Sequence, residues 1–143
     1  MGWFVTRFGK GVKWGFNYLR LICLKMKYGK LFNVKIFCKR PAYIGRNCNV
    51  KIRDAGKITL EEGVYFDEYC TLEACGGVVY VGADSYFNTF SRIVAQERII
   101  IGRECIFGSN VSVYDHDHDI SEGIKKALKT YLRECVEIGD HVW

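Results

Sequence analysis

The sequence predicts an all-β fold, a parallel β-helix wound from six-residue sides, and three observations predict it. Four segments begin alike: Leu60-Glu61-Glu62-Gly63-Val64, Val81-Gly82-Ala83-Asp84-Ser85, Ile101-Gly102-Arg103-Glu104-Cys105 and Ile138-Gly139-Asp140-His141-Val142, with a weaker start at Ile44-Gly45. Within these copies an apolar residue returns after six positions and again after twelve, as in Leu60, Phe66 and Leu72, then Val81, Phe87 and Ile93, then Ile101, Phe107 and Val113. Four places beyond each anchor stands a small residue: Val64 and Cys70, Ser85 and Ser91, Cys105 and Val111. An amphipathic helix would bring its apolar residues back at three and four instead. A hairpin sandwich would show turn dipeptides such as Asn-Gly, absent here.

Each element follows from the period. Six residues supply one flat side, a short strand and a turn, and three sides close a triangular turn of about eighteen residues. The anchor points into the prism, and the small residue fits inward near a corner, where space is tight. Glycine or a small polar residue after the anchor permits the bent corner backbone. Successive turns pair their strands in parallel and stack the anchors into one apolar column. The spacing is 21 residues from Leu60 to Val81 and 20 from Val81 to Ile101, so small excursions at the corners are expected. From Ile101 to Ile138 it is 37, which leaves room for one inserted loop, expected over about residues 115–134.

Residues 1–40 are read as a basic amphipathic N-terminal segment with short helical structure, and residues 41–143 as the coils. The first forty residues hold ten cations and no Asp or Glu, whereas the remainder has 11 cations against 16 acids. Arg20, Lys25 and Lys27 interrupt the most apolar run, which argues against a transmembrane helix. No small-residue cleavage site follows an apolar run, which argues against a signal peptide. A helix over residues 13–27 places Lys13, Arg20 and Lys27 on one side and Trp14, Tyr18, Leu21 and Ile22 on the other. Two readings stand open: an interfacial helix giving residues 1–30 peripheral contact with anionic lipid, or a cap that hides its apolar face on the open end of the domain. The seven cysteines stand singly, with no CxxC pair. That pattern fits free thiols in a reducing cytoplasm better than a disulfide framework or a zinc site. Nucleic acid is not an expected partner, because the basic segment matches no recognition motif and the body is acidic.

Two of the three histidines stand where the loop leaves the coil, in Tyr114-Asp115-His116-Asp117-His118-Asp119. An imidazole, with an ordinary pKa of about 6.5, accepts a proton at neutral pH and suits general-base chemistry. The flanking Asp115, Asp117 and Asp119 are candidates to orient the ring and stabilise its protonated form. Lys125, Lys126, Lys129 and Arg133 on the loop read as a solvated face able to attract phosphate groups.

Residues 44–143 resemble the hexapeptide-repeat acyltransferases, whose fold is a left-handed parallel β-helix. The stretch from Gly82 to His118 is similar, without a gap, to the galactoside and maltose acetyltransferase branch, and capsular-polysaccharide O-acetyltransferases are alike. The resemblance implies acetyl-CoA as acyl donor, no required metal, a sugar or glycan hydroxyl as acceptor, and a cytoplasmic homotrimer, at the inner face of the membrane if residues 1–30 bind lipid. In that register His118 falls on the family's general base, with His116 as support or alternative. Asn88 falls on the asparagine near the acceptor and Trp143 on the tryptophan near the active site, with Asp115 and Asp117 also placed at the substrate. Gln96 stands where the family has an aspartate, which leaves the acceptor contacts open. Family chains continue with further coils beyond the position of Trp143, so the resemblance predicts a C-terminally truncated chain, and an inactive trimeric scaffold is the competing expectation. A γ-class carbonic anhydrase, with zinc on three histidines, is disfavoured by the spacing of His116, His118 and His141.

Overall fold

The computed structural model describes residues 2–121 and 123–143, and of residues 2–12 it describes the helical backbone alone. Helix α1 (Gly2–Tyr28) and a single 3-10 turn (Gly29–Leu31) lead into β1 (Phe32–Val34). Short strands then visit three sheets in fixed rotation. The first sheet stacks β1, β4 (Lys57–Leu60), β7 (Val78–Val81), β10 (Arg98–Ile101) and β15 (Val136–Ile138). The second holds β2 (Tyr43–Ile44), β5 (Tyr65–Phe66), β8 (Tyr86–Phe87) and β11 (Ile106–Phe107). The third holds β3 (Asn49–Arg53), β6 (Thr71–Cys75), β9 (Arg92–Ala95) and β12 (Ser112–Tyr114). All pairings within these sheets are parallel. The chain is a three-sided parallel β-solenoid, as the six-residue period predicts.

The anchors point inward on all three sides. Ile58, Val79 and Ile99 stand in register and are fully buried, as are Leu60, Val81 and Ile101 beside them. On the second side the rings of Phe66, Phe87 and Phe107 stack with centroids 4.4 and 4.6 Å apart. Each such burial contributes about 1.5–3 kcal/mol relative to exposure. The corners take the small residues, and their polar atoms are satisfied locally. The Ser85 hydroxyl donates to the Gly102 carbonyl at 2.8 Å and accepts the Cys105 N–H at 3.1 Å. Cys70 and Cys105 fill equivalent places in the corner columns, and all seven cysteines are free. The neighbouring Cys48, then burial, holds the Cys70 thiol above its usual range, which keeps it a protonated filler. Gly82 and Gly102 are demanded by the stacking: a Cβ on Gly82 would lie 2.6 Å from the Gly102 backbone.

Helix α1 closes the first turn. Asn17 is buried, its amide nitrogen donating to the Ala42 carbonyl at 2.9 Å and its oxygen accepting the Ile44 N–H at 3.0 Å. This one side chain occupies the place of a preceding strand against the edge of β2. Arg20 donates to the carbonyls of Ile44 and Gly45, and the Tyr28 hydroxyl donates to the Val50 carbonyl at 3.1 Å, on β3. Leu21 is fully buried in the core. Of the two readings of this segment, capping therefore describes residues 17–28. Leu21, expected on the apolar side, plugs the prism, and the expected split is corrected at Arg20, which is spent on backbone carbonyls. The part of the expected lipid contact that falls on residues 1–12 lies outside the described side chains. No helix among the described residues is long and apolar enough to cross a membrane.

Candidate active site

After β12 the chain leaves the prism at Asp115. It forms an arm in which β13 (His116–His118) pairs antiparallel with β14 (Tyr131–Arg133), His118 opposite Tyr131 and His116 opposite Arg133. A short helix, α2 (Ile124–Ala127), lies between them, and β15 returns the chain to the first sheet against β10. The arm is therefore held at its root by both neighbouring sheets.

Asp115 fixes that root. Its carboxylate is buried and accepts the Gln96 N–H at 2.8 Å and the Glu97 N–H at 2.7 Å, both at the corner between β9 and β10. The same carboxylate lies 2.9 Å from Nδ1 of His116. A carboxylate accepts, so Nδ1 of His116 carries a proton, and in the neutral ring Nε2 keeps its lone pair. His116 sits edge-on between Tyr114 and Tyr131, with centroids 5.8 and 5.5 Å away.

His118 is oriented differently. Its Nδ1 lies 2.6 Å from the carbonyl oxygen of Ala127, which also only accepts, so in the neutral ring Nδ1 carries the proton and Nε2 the lone pair. The ring packs against Tyr131 at 4.7 Å while the residue remains exposed. A positioned imidazole with one nitrogen locked and the other open suits proton abstraction from a bound hydroxyl.

The structure gathers Asp115, His116, Asp117 and His118 on the arm and leaves Asn88 and Trp143 elsewhere in the chain. The Asp117 carboxylate accepts the His118 N–H at 2.7 Å, and that of Asp119 accepts the Ser121 N–H at 2.9 Å, so neither contacts a ring. The Ser121 bonds hold the Asp119 carboxyl below its usual range. Asn88 lies at the corner between β8 and β9, its side-chain oxygen accepting the Thr89 N–H at 2.8 Å. One whole side of the prism, β9, separates it from the root of the arm. Trp143 is 97% exposed, next to Val142, whose carbonyl accepts the Ile106 N–H on the second side. His141 pairs with Glu104 at 3.4 Å, at the corner beyond β15, one side of the prism away from the root of the arm. Among the described residues, no three His, Cys, Asp or Glu side chains group to hold a metal ion.

Tyr131 of this cluster carried no signal in the sequence, and Gln96 was marked there only as standing where the family has an aspartate. Tyr131 touches both histidine rings, and only the antiparallel register of the arm brings it there. Gln96 lends its N–H to Asp115 and its side-chain oxygen to Arg133 at 3.2 Å, tying arm to solenoid.

Fold and cluster together define a hexapeptide solenoid carrying an imidazole-bearing arm, the framework of the hexapeptide-repeat acyltransferases that the sequence resembles. No family model matches the chain, and no solved structure matches it. Among curated proteins it is similar to the "Putative lipopolysaccharide biosynthesis O-acetyl transferase WbbJ" of Escherichia coli (strain K12), at 29% identity over 112 residues. The match covers 68% of this chain and 57% of that relative, so the chain spans little more than half of the relative's length.

Proposed function

We propose that the chain is an acetyl-CoA-dependent O-acetyltransferase acting on a sugar or glycan hydroxyl in surface polysaccharide assembly, with His118 as general base. The observation that carries this is the state of His118: Nδ1 committed to the Ala127 carbonyl, Nε2 open on an exposed arm. The similarity to an enzyme named as an O-acetyl transferase supports the same class of chemistry. Nε2 takes the proton of the acceptor hydroxyl as its oxygen attacks the thioester carbonyl of acetyl-CoA. The tetrahedral intermediate then collapses, the carbon–sulfur bond breaks, and the departing thiolate recovers that proton from the imidazolium. The exposed Lys125 and Lys129 on the arm offer positive charge to the donor's phosphates. No residue in this scheme needs a metal.

Asn88 and Trp143 lie on other parts of the prism than His118, and in this reading neighbouring copies of a homotrimer bring them to one site. We place the enzyme in the cytoplasm at the inner face of the membrane, where a lipid-linked glycan would be met. His116 is the second reading for the base, favoured by its contact with the buried Asp115 carboxylate.

The test is transfer from acetyl-CoA to a panel of sugar and glycan acceptors, followed by chromatography because seven protein thiols would react with a thiol dye. Turnover that disappears in His118→Ala supports the assignment. Absence of turnover with every acceptor would leave the trimeric scaffold as the better reading.

A further inference from the structure

Helix α1 has two apolar faces, and the solenoid uses one of them. Leu21 is buried in the core, and Leu24 and Tyr28 pack against it. On the opposite side Phe16, Leu19 and Met26 are 68%, 60% and 79% exposed, with the exposed Cys23 between them. Spacings of three and four residues align these into one stripe along a helix about 40 Å long. A helix that only caps a domain presents a polar outer face. Among the described residues the intramolecular packing gives this second stripe no partner.

The charges beside the stripe differ from those on the solenoid. There, Arg46 pairs with Glu68, Lys51 with Glu73, Arg98 with Glu137 and Arg103 with Asp140, while Lys57 and Arg92 make no ion pair among the described residues. Among the described residues no ion pair involves Lys13, Lys25, Lys27 or Lys30. The first forty residues contain no acid that could pair with them. A groove of about 540 Å³ opens along the same edge of α1, walled by Lys13, Phe16, Arg20 and Arg46; Arg20 is bonded to backbone carbonyls and Arg46 to Glu68, so Lys13 is the cation it offers to a ligand. Two copies meeting through this face would set like charges against each other, whereas an anionic surface complements it.

We infer that α1 is an interfacial docking helix for an anionic bilayer. Phe16, Leu19 and Met26 enter the boundary between headgroups and acyl chains, the lysines lie at phosphate level, and the groove receives a lipid headgroup. The helix thus serves the solenoid with one face and the membrane with the other. This inference deepens the membrane-face localisation proposed above and is independent of the acetyl-transfer chemistry.

Flotation of the full chain with vesicles tests it. Binding is expected to vesicles of phosphatidylglycerol and phosphatidylethanolamine, to weaken with added salt, and to be absent with phosphatidylcholine alone. Phe16→Ser, Leu19→Ser and Met26→Ser combined should abolish it while preserving the thermal melt, since all three lie outside the core. Lys13→Gln, Lys27→Gln and Lys30→Gln should weaken it roughly fivefold per lysine. No binding by the native chain overturns the inference, as does unchanged binding by the serine variant. Conversion of an oligomer to a smaller species by the serine changes, in the absence of lipid, would assign the stripe to a second copy instead. Activity on a soluble acceptor, measured on the same serine variant, separates failure of docking from failure of the acetyltransferase reading.

Discussion

His118 donates its Nδ1 proton to the Ala127 carbonyl at 2.6 Å, and that bond ties β13 to the end of α2 across the arm. The ring is thereby aimed without a carboxylate partner, so its removal should cost chemistry and little else. His118→Ala is expected to lower kcat for acetyl transfer about a hundred- to ten-thousand-fold, with the melting temperature nearly unchanged. Steady-state kinetics on His118→Ala and His116→Ala side by side decide between the two imidazoles. A larger loss in His116→Ala would move the base to the ring held by Asp115.

Asp115 anchors the arm through a buried carboxylate, and Asp115→Asn tests that role. An amide must turn an N–H toward one of the Gln96 and Glu97 donors, leaving a buried donor unsatisfied at a cost of about 1–3 kcal/mol. The expected outcome is a lower urea midpoint and faster proteolysis within residues 119–130. A midpoint equal to the native one would mean that the arm is held by β14 and β15 alone.

At the other end, Asn17→Ala removes both bonds that cover the edge of β2. The Ala42 carbonyl and the Ile44 N–H lose their buried partners, and about 2–4 kcal/mol of stability should go with them. Equilibrium unfolding measures this directly, and a change under about 0.5 kcal/mol would show that water replaces the amide at no cost.

The solenoid could be read from the sequence because its signal is periodic: Phe66, Phe87 and Phe107 repeat at one phase of the six-residue side and stack on one side of the core, one ring per turn. The helix was harder. Its pattern showed an apolar side containing Leu21, but a pattern does not name what covers it, and here the open prism does. The site was legible as far as His116 and His118, whose place at a coil exit is a matter of chain position. Tyr131 was hidden because register in a hairpin arm depends on the length of the intervening segment. The exclusion of Asp117 from the rings follows from strand alternation, which turns every second side chain of β13 away.

Tight stacking at the corners makes a sharp prediction for glycine. Gly82→Ala places a methyl group 2.6 Å from the Gly102 backbone, so two turns must separate, costing about 1–3 kcal/mol. Gly108 has nothing within 4 Å of its Cβ position, and Gly108→Ala should be close to neutral. Thermal denaturation of the pair provides an internal control, and equal shifts would sink the stacking argument.

The bonding of Asn17 to Ala42 and Ile44 has a reach beyond its own two contacts. The amide presents to β2 one donor and one acceptor in the manner of a peptide unit, so it sets the phase in which the first turn lies down. Each later turn copies the one before it through parallel hydrogen bonds, and a slip of one residue would reverse inside and outside for a whole side. Asn17 thus stands at the end of a register that the parallel bonds carry from β2 through β5, β8 and β11.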